Sequence, residues 1–298
     1  MKPILGTVQF GNDYGISNTY GKLEIDQSYK ILKTAIEQGI DFIDTAIGYG
    51  QSEDILGKFG MKNFKVFSKI DGKFFQDFKE LNDHNYLELE QKLINEVKGS
   101  LKRLKIYQLE GIFIHDSSIL KYKNYQNIIK SINNIKKEGL AKKIGISIYE
   151  TSELNECFDF FLPDIVQVPM NIFDHRIIES DLMHKLRKNS IKIQVRSIFL
   201  QGLLLLKVND IPDKFKLWKN NFKKWNEFIN NSESSALEVL INFILSVKNI
   251  DQFIFGVQDT EQLKSIMQIY KNPNPKFIKN FQIKDGLILN PSKWNSLN

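Results

Sequence analysis

The sequence predicts an α/β protein in which eight parallel strands and their helices form one (β/α)8 TIM barrel, a single domain over residues 1–298. Short apolar runs alternate with helical patterns along the whole chain of 298 residues, and no linker or composition break divides it. Parallel neighbours cannot be joined by tight hairpins, so this alternation favours a parallel sheet with helical crossovers. Eight units suit a closed barrel, and no GxGxxG motif follows any strand, which disfavours an open dinucleotide-binding sheet.

The individual elements are predicted from apolar runs and from apolar residues at helical spacing. The candidate strands are 4–10, 41–45, 65–69, 109–115, 142–147, 164–169, 191–196 and 251–256. The candidate helices are 28–39, 52–59, 89–104, 125–139, 152–161, 176–189, 235–247 and 260–270. Gly39 and Gly139 stand where helix C-terminal caps are expected. The stretches 74–85 and 207–214 are predicted to be loop insertions.

Composition places the chain among cytoplasmic globular proteins. Hydrophobic residues make up 42% of the sequence, which is ample for a large core. No run approaches the roughly 20 apolar residues that cross a bilayer, and the first residues turn polar too soon for a signal peptide. The single cysteine, Cys157, excludes an internal disulfide, indicates a reducing compartment and is expected in the core.

The net charge of +6 raises the question of a nucleic-acid partner. The 41 basic residues are interleaved with 35 acidic ones, and the strongest aromatic and basic segment, 215–229, has the spacing of an amphipathic helix. Its apolar face is predicted to be Phe215, Trp218, Phe222, Trp225 and Ile229. We therefore expect neither a nucleic-acid nor a membrane partner. No metal site is expected, because no carboxylate or cysteine spacing suggestive of a metal accompanies the remaining histidines, His84, His175 and His184.

Polar residues recur at the carboxyl ends of the predicted strands. In a (β/α)8 barrel the loops that follow these ends build the active site, so such residues are the candidates for chemistry. Each of these residues taken alone also has an ordinary structural role. An aspartate at a strand end can cap the next helix, a lysine can end a strand with its charge in solvent, and a histidine can be part of the core. The candidates are Asp44, Lys69, His115, Ser147, Gln167 and Arg196.

The stretch DTAIGYGQSEDILGK, residues 44–58, resembles the second βα unit of the aldo-keto reductase family. VFSKI and GIFIHDSS resemble its next two strand ends, and KKIGIS, DIVQVPMN and VRSIFLQGLL the later ones, so the similarity extends from about residue 4 to about residue 270. Four motifs occur in the family's order on successive strands. The resemblance implies a catalytic tetrad of Asp44, Tyr49, Lys69 and His115.

The chemistry of these residue types suits carbonyl reduction, which needs a hydride on carbon and a proton on oxygen. Tyrosine, with an ordinary pKa of about 10, is a usable acid, and the ammonium of Lys69 should lower the pKa of Tyr49. Asp44 can pair with Lys69 and keep it ionised. A neutral His115 can donate a hydrogen bond that orients the substrate carbonyl.

The resemblance also implies NADP(H) bound across the barrel mouth. Ser147 and Gln167 match residues that hold the nicotinamide carboxamide, and Arg196 matches the position that stacks on or flanks the ring. Ile148 stands where the family often has Asn, which removes one carboxamide contact. The other implied cofactor-binding residues are Ser197, Leu200, Gly202, Gly256, Gln258, Asp259 and Gln262.

The segment after the eighth strand bears on the choice of cofactor. Relatives typically place a hydroxyl or lysine and then an arginine there to bind the 2′-phosphate, whereas this chain has Gln258 and Asp259. A carboxylate would repel a 2′-phosphate and could accept a hydrogen bond from a ribose hydroxyl. Lys264 could supply the missing cation, and Asp259 also suits a plain helix cap. We expect NADP(H) as the family default, with NAD(H) accepted.

The sequence thus predicts a metal-free NAD(P)H-dependent enzyme that reduces a small aldehyde or ketone. A sugar-like substrate is suggested by Val8, which stands where many relatives have a bulky tryptophan. One alternative is a cofactor-sensing barrel that acts through a protein partner. Another is an isomerase or lyase with Lys69 as a Schiff base, which pairing with Asp44 disfavours because that lysine must be neutral. Substrate, direction and oligomeric state stay open.

Overall fold

The computed structural model describes residues 1–79, 86–154, 158, 160–275 and 281–297, and it contains a closed barrel of eight strands in chain order. Every neighbouring pair is parallel, including the pair of first and last strands that closes the barrel. The predicted fold class is therefore confirmed. The strands are β1 Lys2–Gly6, β2 Phe42–Asp44, β3 Lys65–Ile70, β4 Gly111–Ile114, β5 Ile144–Ser147, β6 Ile165–Pro169, β7 Lys192–Arg196 and β8 Gln252–Phe255.

Helices cover the outside of the barrel and join its strands. The α-helices are α1 Val8–Gly11, α2 Ile25–Gln38, α3 Ser52–Phe59, α4 Tyr86–Leu104, α5 Tyr125–Lys137, α6 Arg176–Glu179, α7 Leu182–Lys188, α8 Lys219–Asn230, α9 Ala236–Ser246, α10 Thr260–Lys271 and α11 Gly286–Leu289. Short stretches of 3₁₀ helix occur at Gly72–Phe78, Ser117–Lys121, Thr151–Leu154, Leu203–Leu205, Val208–Asp210, Asp213–Trp218 and Pro291–Ser296. Gly39 and Gly139 both have the left-handed backbone expected of helix caps.

The barrel interior changes character along its axis. Towards the amino ends of the strands it is filled by apolar side chains, three of them aromatic, and these pack as a cluster separate from the main core: Ile4, Phe42, Phe67, Phe113 and Ile165. Since side chains alternate along a strand, the next inward positions lie two residues on. At four of these strands those positions hold Asp44, Lys69, His115 and Gln167. The apolar layer therefore forms the floor beneath the polar mouth of the barrel.

Several predicted elements differ from the structure. The first strand ends at Gly6 instead of residue 10, because the chain turns into α1 and carries Val8 over the barrel mouth. The predicted helix 176–189 is two helices, α6 and α7, because Ser180 is extended at the end of α6. The insertions at 74–85 and 207–214 are in part helical, since 3₁₀ turns enter both ranges.

The aromatic and basic segment packs as the sequence predicts, with a 3₁₀ stretch leading into α8. Four of its five apolar residues are buried, and Ile229 is half-buried. The prediction of a helix over 152–161 is wrong for the described residues, of which 152–154 belong to a 3₁₀ stretch, 158 and 160 are turns and 161 is irregular. The predictions for Cys157, for His84, for residues 80–85 of the first insertion and for residues 155–157 and 159 lie outside the described residues. Among the helices the structure describes, none is both long and apolar enough to cross a membrane.

Candidate active site

Asp44 and Lys69 form a buried ion pair at the carboxyl ends of β2 and β3. The Lys69 ammonium donates to Asp44 Oδ1 at 2.5 Å and to the backbone oxygen of Thr45 at 2.8 Å. The side chains of Lys69 and Asp44 are only 1% and 6% exposed. A buried charge is costly unless it is paired and hydrogen-bonded, and both conditions are met here.

Tyr49 lies in the turn between β2 and α3, and hydrogen bonds fix that turn. The Ser52 hydroxyl donates to the backbone oxygen of Thr7 at 3.0 Å and lies 3.1 Å from the Thr45 hydroxyl. Gly11 of α1 packs directly on the turn, since a Cβ at Gly11 would lie 1.8 Å from the Tyr49 carbonyl oxygen. Only glycine permits so close an approach. The loop after β1 therefore holds the backbone that carries Tyr49.

Tyr49 and His115 meet above the ion pair. Their rings are arranged edge to face with centroids 6.0 Å apart, and the Lys69 ammonium lies 5.0 Å from the centre of the Tyr49 ring. The structure thus brings together all four residues of the implied tetrad. Three strand ends and one turn contribute one group each.

The electrostatics favour a neutral phenol and a neutral imidazole. Burial raises the pKa of Tyr49 above its ordinary value, the Asp44 carboxylate raises it further, and Arg196 opposes both. Burial, with the charges of Lys69 and Arg196, lowers the pKa of His115 to about 3. Burial also lowers the pKa of Lys69, while Asp44 acts in the opposite direction. The expectation that Lys69 would bring the pKa of Tyr49 below its ordinary value is wrong, because burial and the Asp44 carboxylate raise that pKa.

Glu53 at the start of α3 ties this region to the rest of the barrel. Its carboxylate accepts hydrogen bonds from Ser68 of β3 at 2.7 Å, Ser100 of α4 at 2.6 Å and Arg103 at 2.9 Å. Glu53 is 1% exposed. Glu53 thereby joins β3, α3 and α4 close to the turn that carries Tyr49.

A cavity of about 760 Å³ opens at this end of the barrel. Its size lies within the usual range of ligand pockets, about 300–1,000 Å³. Ten of the fourteen predicted site residues line it: Asp44, Tyr49, His115, Gln167, Arg196, Ser197, Gly202, Gly256, Gln258 and Gln262. The other four do not line it: Lys69, Ser147, Leu200 and Asp259.

The far wall of the cavity is built around Arg196 at the end of β7. Its guanidinium carbon lies 4.2 Å from the centre of the Tyr149 ring. The guanidinium donates to the Ser147 hydroxyl at 3.3 Å, the Ser197 hydroxyl at 3.3 Å and the backbone oxygen of Ile148 at 3.1 Å. Arg196 is therefore held as a rigid cation against an aromatic ring.

Comparison with known proteins agrees with this geometry. The family model of the Aldo/keto reductase family matches residues 4–282. The chain belongs to the aldo/keto reductase family. This confirms the resemblance on which the tetrad was placed, and members of this family are oxidoreductases that use nicotinamide cofactors on small carbonyl compounds.

Individual relatives of this aldo/keto reductase are distant. It is 24% identical over 278 residues to aldo-keto reductase YhdN of Bacillus subtilis (strain 168), which is 84% of this chain and 80% of that protein. It is 29% identical over 187 residues to the NADH-specific methylglyoxal reductase of Escherichia coli (strain K12), or 56% of this chain and 54% of that protein. A solved aldo-keto reductase from Bacillus halodurans, in holo form, superimposes with a TM-score of 0.72 at 19% identity over 93% of this chain and 88% of that one.

The segment of this aldo/keto reductase that was predicted to face the adenosine end forms the start of α10. The Asp259 carboxylate accepts from the backbone N–H of Gln262 at 2.8 Å and caps the helix. The Gln262 side chain accepts from the N–H of Gln258 at 2.9 Å. Lys264 pairs with Glu261 at 2.8 Å. The alternative role of Asp259 as a helix cap is therefore present, and Lys264 has an acidic partner.

The loop after β7 has a strained backbone. Ser197, Leu200 and Gln201 all have positive φ, at 58°, 47° and 54°, which is unusual for residues other than glycine. Gly202 follows at 86°, and a Cβ there would lie 1.9 Å from the Ser17 hydroxyl. Such strain persists where surrounding structure imposes it, and it is concentrated at functional sites. The backbone oxygen of Gln201 also accepts a hydrogen bond from the N–H of Ile16 at 2.8 Å, which joins the loops after β1 and β7.

Several residues of the site were not predicted from the sequence. Tyr14 and Tyr149 line the cavity, and Gln194 and Gln252 lie buried inside the barrel beside Gln167. The sequence did carry a signal for the two glutamines, because each interrupts a mainly apolar strand. Gln194 lies two residues before Arg196, and Gln252 lies four residues before Gly256. Among the described residues, no group of three or more His, Cys, Asp or Glu side chains is placed to hold a metal ion.

The cavity walls suit an extended dinucleotide. Five glycines line it, so parts of the wall are bare backbone: Gly6, Gly15, Gly48, Gly202 and Gly256. The N-terminus of the 12-residue helix α10 adjoins it through Gln258 and Gln262, and a helix N-terminus favours phosphate groups. The cation of Arg196 and the amide oxygen of Gln167 add a donor and an acceptor, and this set of groups fits a nicotinamide cofactor.

Proposed function

We propose that this chain is an NAD(P)H-dependent reductase of aldehydes or ketones in which Tyr49 donates the proton to the carbonyl oxygen. One observation carries the proposal: the buried Asp44–Lys69 pair lies directly beneath Tyr49 and His115, where an open cavity begins. Proton delivery to a carbonyl requires an acid, a neutral hydrogen-bond donor and a fixed cation close together. Tyr49, His115 and Lys69 supply these three groups.

Tyr49 is in the correct form to act as an acid. Its raised pKa keeps the phenol protonated at neutral pH. As the proton leaves, negative charge develops on the phenol oxygen, and the nearby ammonium of Lys69 stabilises that charge. Asp44 keeps Lys69 charged and fixed in position. The three residues therefore act as one unit.

His115 orients the substrate. With a pKa of about 3 its imidazole is neutral at physiological pH, so one ring nitrogen donates a hydrogen bond and the ring carries no charge that would compete with Tyr49. The substrate carbonyl oxygen is thereby held between the His115 ring nitrogen and the Tyr49 hydroxyl.

The cofactor, when bound, supplies the hydride that reaches the carbonyl carbon. Ser147, Gln167 and Arg196 are proposed to hold its nicotinamide end, and the loop after β7 its pyrophosphate. The loop residues are Ser197, Leu200 and Gly202, and the start of α10 (Gly256, Gln258, Asp259 and Gln262) is proposed to hold the adenosine end.

NADPH is the default cofactor of the proposal, and NADH is proposed to be accepted too. Neither Gln258 nor Asp259 offers a cation to a 2′-phosphate, and Lys264 is paired with Glu261. The relative from Escherichia coli is described as NADH-specific, which agrees with a site that does not require the phosphate.

The proposed substrate is a small-molecule aldehyde or ketone, and a sugar-like compound is one candidate. Val8 lines the cavity. The family resemblance puts a tryptophan at this position in many relatives, and we expect the smaller side chain to leave room for a polar or larger substrate. Tyr14, Tyr149 and Arg196 give the cavity polar groups suited to hydroxyls.

The test is a panel of aldehydes, ketones and aldoses, including phosphorylated and nucleotide-linked forms, scored by oxidation of NADPH and NADH. Turnover of at least one compound, absent without substrate, is the expected result. Tight cofactor binding without turnover of any compound would contradict the proposal and favour the cofactor-sensing alternative. Covalent trapping of substrate on Lys69 by borohydride would favour the Schiff-base alternative instead.

A further inference from the structure

A row of buried polar side chains crosses the second half of the barrel. Ser147, Gln167, Gln194 and Gln252 are neighbours in register across β5, β6, β7 and β8. Each is 7% exposed or less. Buried amides are costly unless their hydrogen bonds are made, and so the pattern of bonds along this row calls for an explanation.

Gln167 donates both to Asp44 and to Gln194, and from Gln167 onward each donor faces away from Asp44. The Gln167 amide nitrogen donates to Asp44 Oδ2 at 3.1 Å and to Gln194 Oε1 at 3.2 Å. The Gln194 amide nitrogen then donates to Gln252 Oε1 at 2.9 Å. An ionised carboxylate only accepts hydrogen bonds, so Asp44 requires the nitrogen of Gln167 to face it. Because the Gln167 nitrogen faces Gln194 as well, Gln194 must accept with its oxygen and donate with its nitrogen to Gln252.

The direction of this row decides what Gln167 presents to the cavity. Both of its N–H groups are used, by Asp44 and Gln194, which leaves its oxygen to accept a hydrogen bond from a ligand. A lone glutamine amide can rotate by half a turn and exchange donor for acceptor with little change of shape. Here that rotation would place the Gln167 oxygen against two other oxygens.

The neighbouring Ser147 does not line the cavity. Its oxygen accepts a hydrogen bond from Arg196 at 3.3 Å, so it supports the cation that does line the cavity. Gln167 therefore carries the argument, and its free oxygen matches the N–H donors of a primary carboxamide.

We propose that Gln194 and Gln252 are positioning residues that hold the Gln167 amide with its oxygen as the acceptor for a carboxamide N–H. The inference rests on the proposed function, because the carboxamide in question is that of the nicotinamide. It adds two residues of β7 and β8 that touch neither substrate nor cofactor but determine how Gln167 recognises the cofactor.

The experiment compares two ligands that differ in the nicotinamide, NADPH and 2′-phospho-ADP-ribose, on Gln194→Met. Methionine keeps the length and apolar bulk of glutamine, but its sulfur is only a weak acceptor for Gln167 and it has no N–H to donate to Gln252. The Kd of NADPH is expected to rise about three- to ten-fold, the worth of one hydrogen bond, and that of 2′-phospho-ADP-ribose to stay within about two-fold. Gln252→Met, which only frees Gln194, should give a smaller change of the same kind.

Ile165→Val in the apolar floor is the matched control, because it loosens the barrel without touching the row. It should leave the ratio of the two Kd values unchanged, even where its Tm falls. If Gln194→Met does not fold, Gln252→Met carries the test. An unchanged ratio in the folded glutamine variants overturns the inference while leaving the proposed function standing. A wild-type protein that binds no nicotinamide cofactor overturns both.

Discussion

The two halves of the barrel mouth use different polar groups. The catalytic half, formed by β2, β3, β4 and the turn after β2, carries four titratable side chains: Asp44, Lys69, His115 and Tyr49. The amide half, formed by the interiors of β5 to β8, carries Ser147, Gln167, Gln194 and Gln252, none of which titrates in the physiological range. A side-chain hydrogen bond of 3.1 Å, from Gln167 to Asp44, links the two sets of polar groups.

This difference follows from what each half is proposed to do. Proton transfer needs groups whose protonation changes and whose charges respond to one another, as the pKa shifts of Tyr49, Lys69 and His115 illustrate. Recognition of an uncharged carboxamide needs donors and acceptors that stay the same at every working pH. Loss of a group from the catalytic half should therefore affect the rate, and loss from the amide half should affect cofactor binding.

The largest effect is expected from Tyr49→Phe. The ring remains but the proton donor is lost, so kcat should fall by at least about 10²-fold, the usual contribution of an acid–base residue. Cofactor affinity should persist, because the change lies in the catalytic half. Tyr107→Phe is the matched control: this side chain is 99% exposed and does not line the cavity, so the same change there should leave the activity unchanged. A Tyr49→Phe enzyme with more than half of the wild-type kcat would contradict the assignment.

The next effect is expected from Lys69→Met. Removing the ammonium raises the pKa of Tyr49 further, so proton donation becomes harder and the high-pH limit of activity moves to higher pH. We expect kcat to fall about ten-fold. A neighbouring charge moves a pKa by about 1–3 units, and only a fraction of such a shift in the pKa of Tyr49 changes the rate of proton transfer. A pH–rate profile of the same shape as wild type would show that the proton comes from elsewhere.

Stability separates the two roles of that lysine. Lys69→Met leaves the buried Asp44 carboxylate without its partner, which costs about 3–5 kcal/mol in the free energy of unfolding. The double variant Asp44→Asn, Lys69→Met removes both charges and should recover much of that stability. Its activity should remain low. Recovery of activity together with stability would mean that Lys69 only supports the fold.

A smaller effect concerns His115 and pH. Its pKa is about 3 in the folded protein, against an ordinary value of 6.5, so the unfolded chain binds the proton more readily between these values. Stability is therefore fully present above about pH 6.5 and is lost as the pH falls towards 3. Between pH 7 and pH 5 wild type should lose about 1–2 kcal/mol more than His115→Gln, measured by urea unfolding. Equal losses would show that His115 is not held neutral by the fold.

The sequence predicted the barrel and its polar strand ends because both depend on simple periodicities. It could not predict the bonds of Gln194, since strand periodicity shows only that a side chain points inward. Which neighbour it reaches depends on the stagger of the closed barrel. The first strand was predicted too long because Val8 and Phe10 continue its apolar pattern, whereas the chain turns at Thr7, which donates from its hydroxyl to the Asp44 backbone oxygen at 3.1 Å.

Asp259 shows a different limit of prediction. The same carboxylate suits a helix cap and a partner for a ribose hydroxyl, and both positions lie at the start of a helix. The structure shows the cap, with Asp259 accepting from the Gln262 N–H at 2.8 Å. An effect of its charge on the cofactor can be separated from the cap only by substitution.

The smallest effect is expected from Asp259→Asn, which can keep the cap while removing the charge. Without the carboxylate, kcat/KM with NADPH should rise about two- to five-fold, because a single partly screened charge several ångströms from a phosphate contributes little more. The value with NADH should hardly change. Asp259→Ala, which removes the charge and also the cap at a cost of about 1 kcal/mol, separates a helix effect from a charge effect. In wild type, a preference for NADPH above about 100-fold, about 2.7 kcal/mol of transition-state binding, would refute the acceptance of NADH.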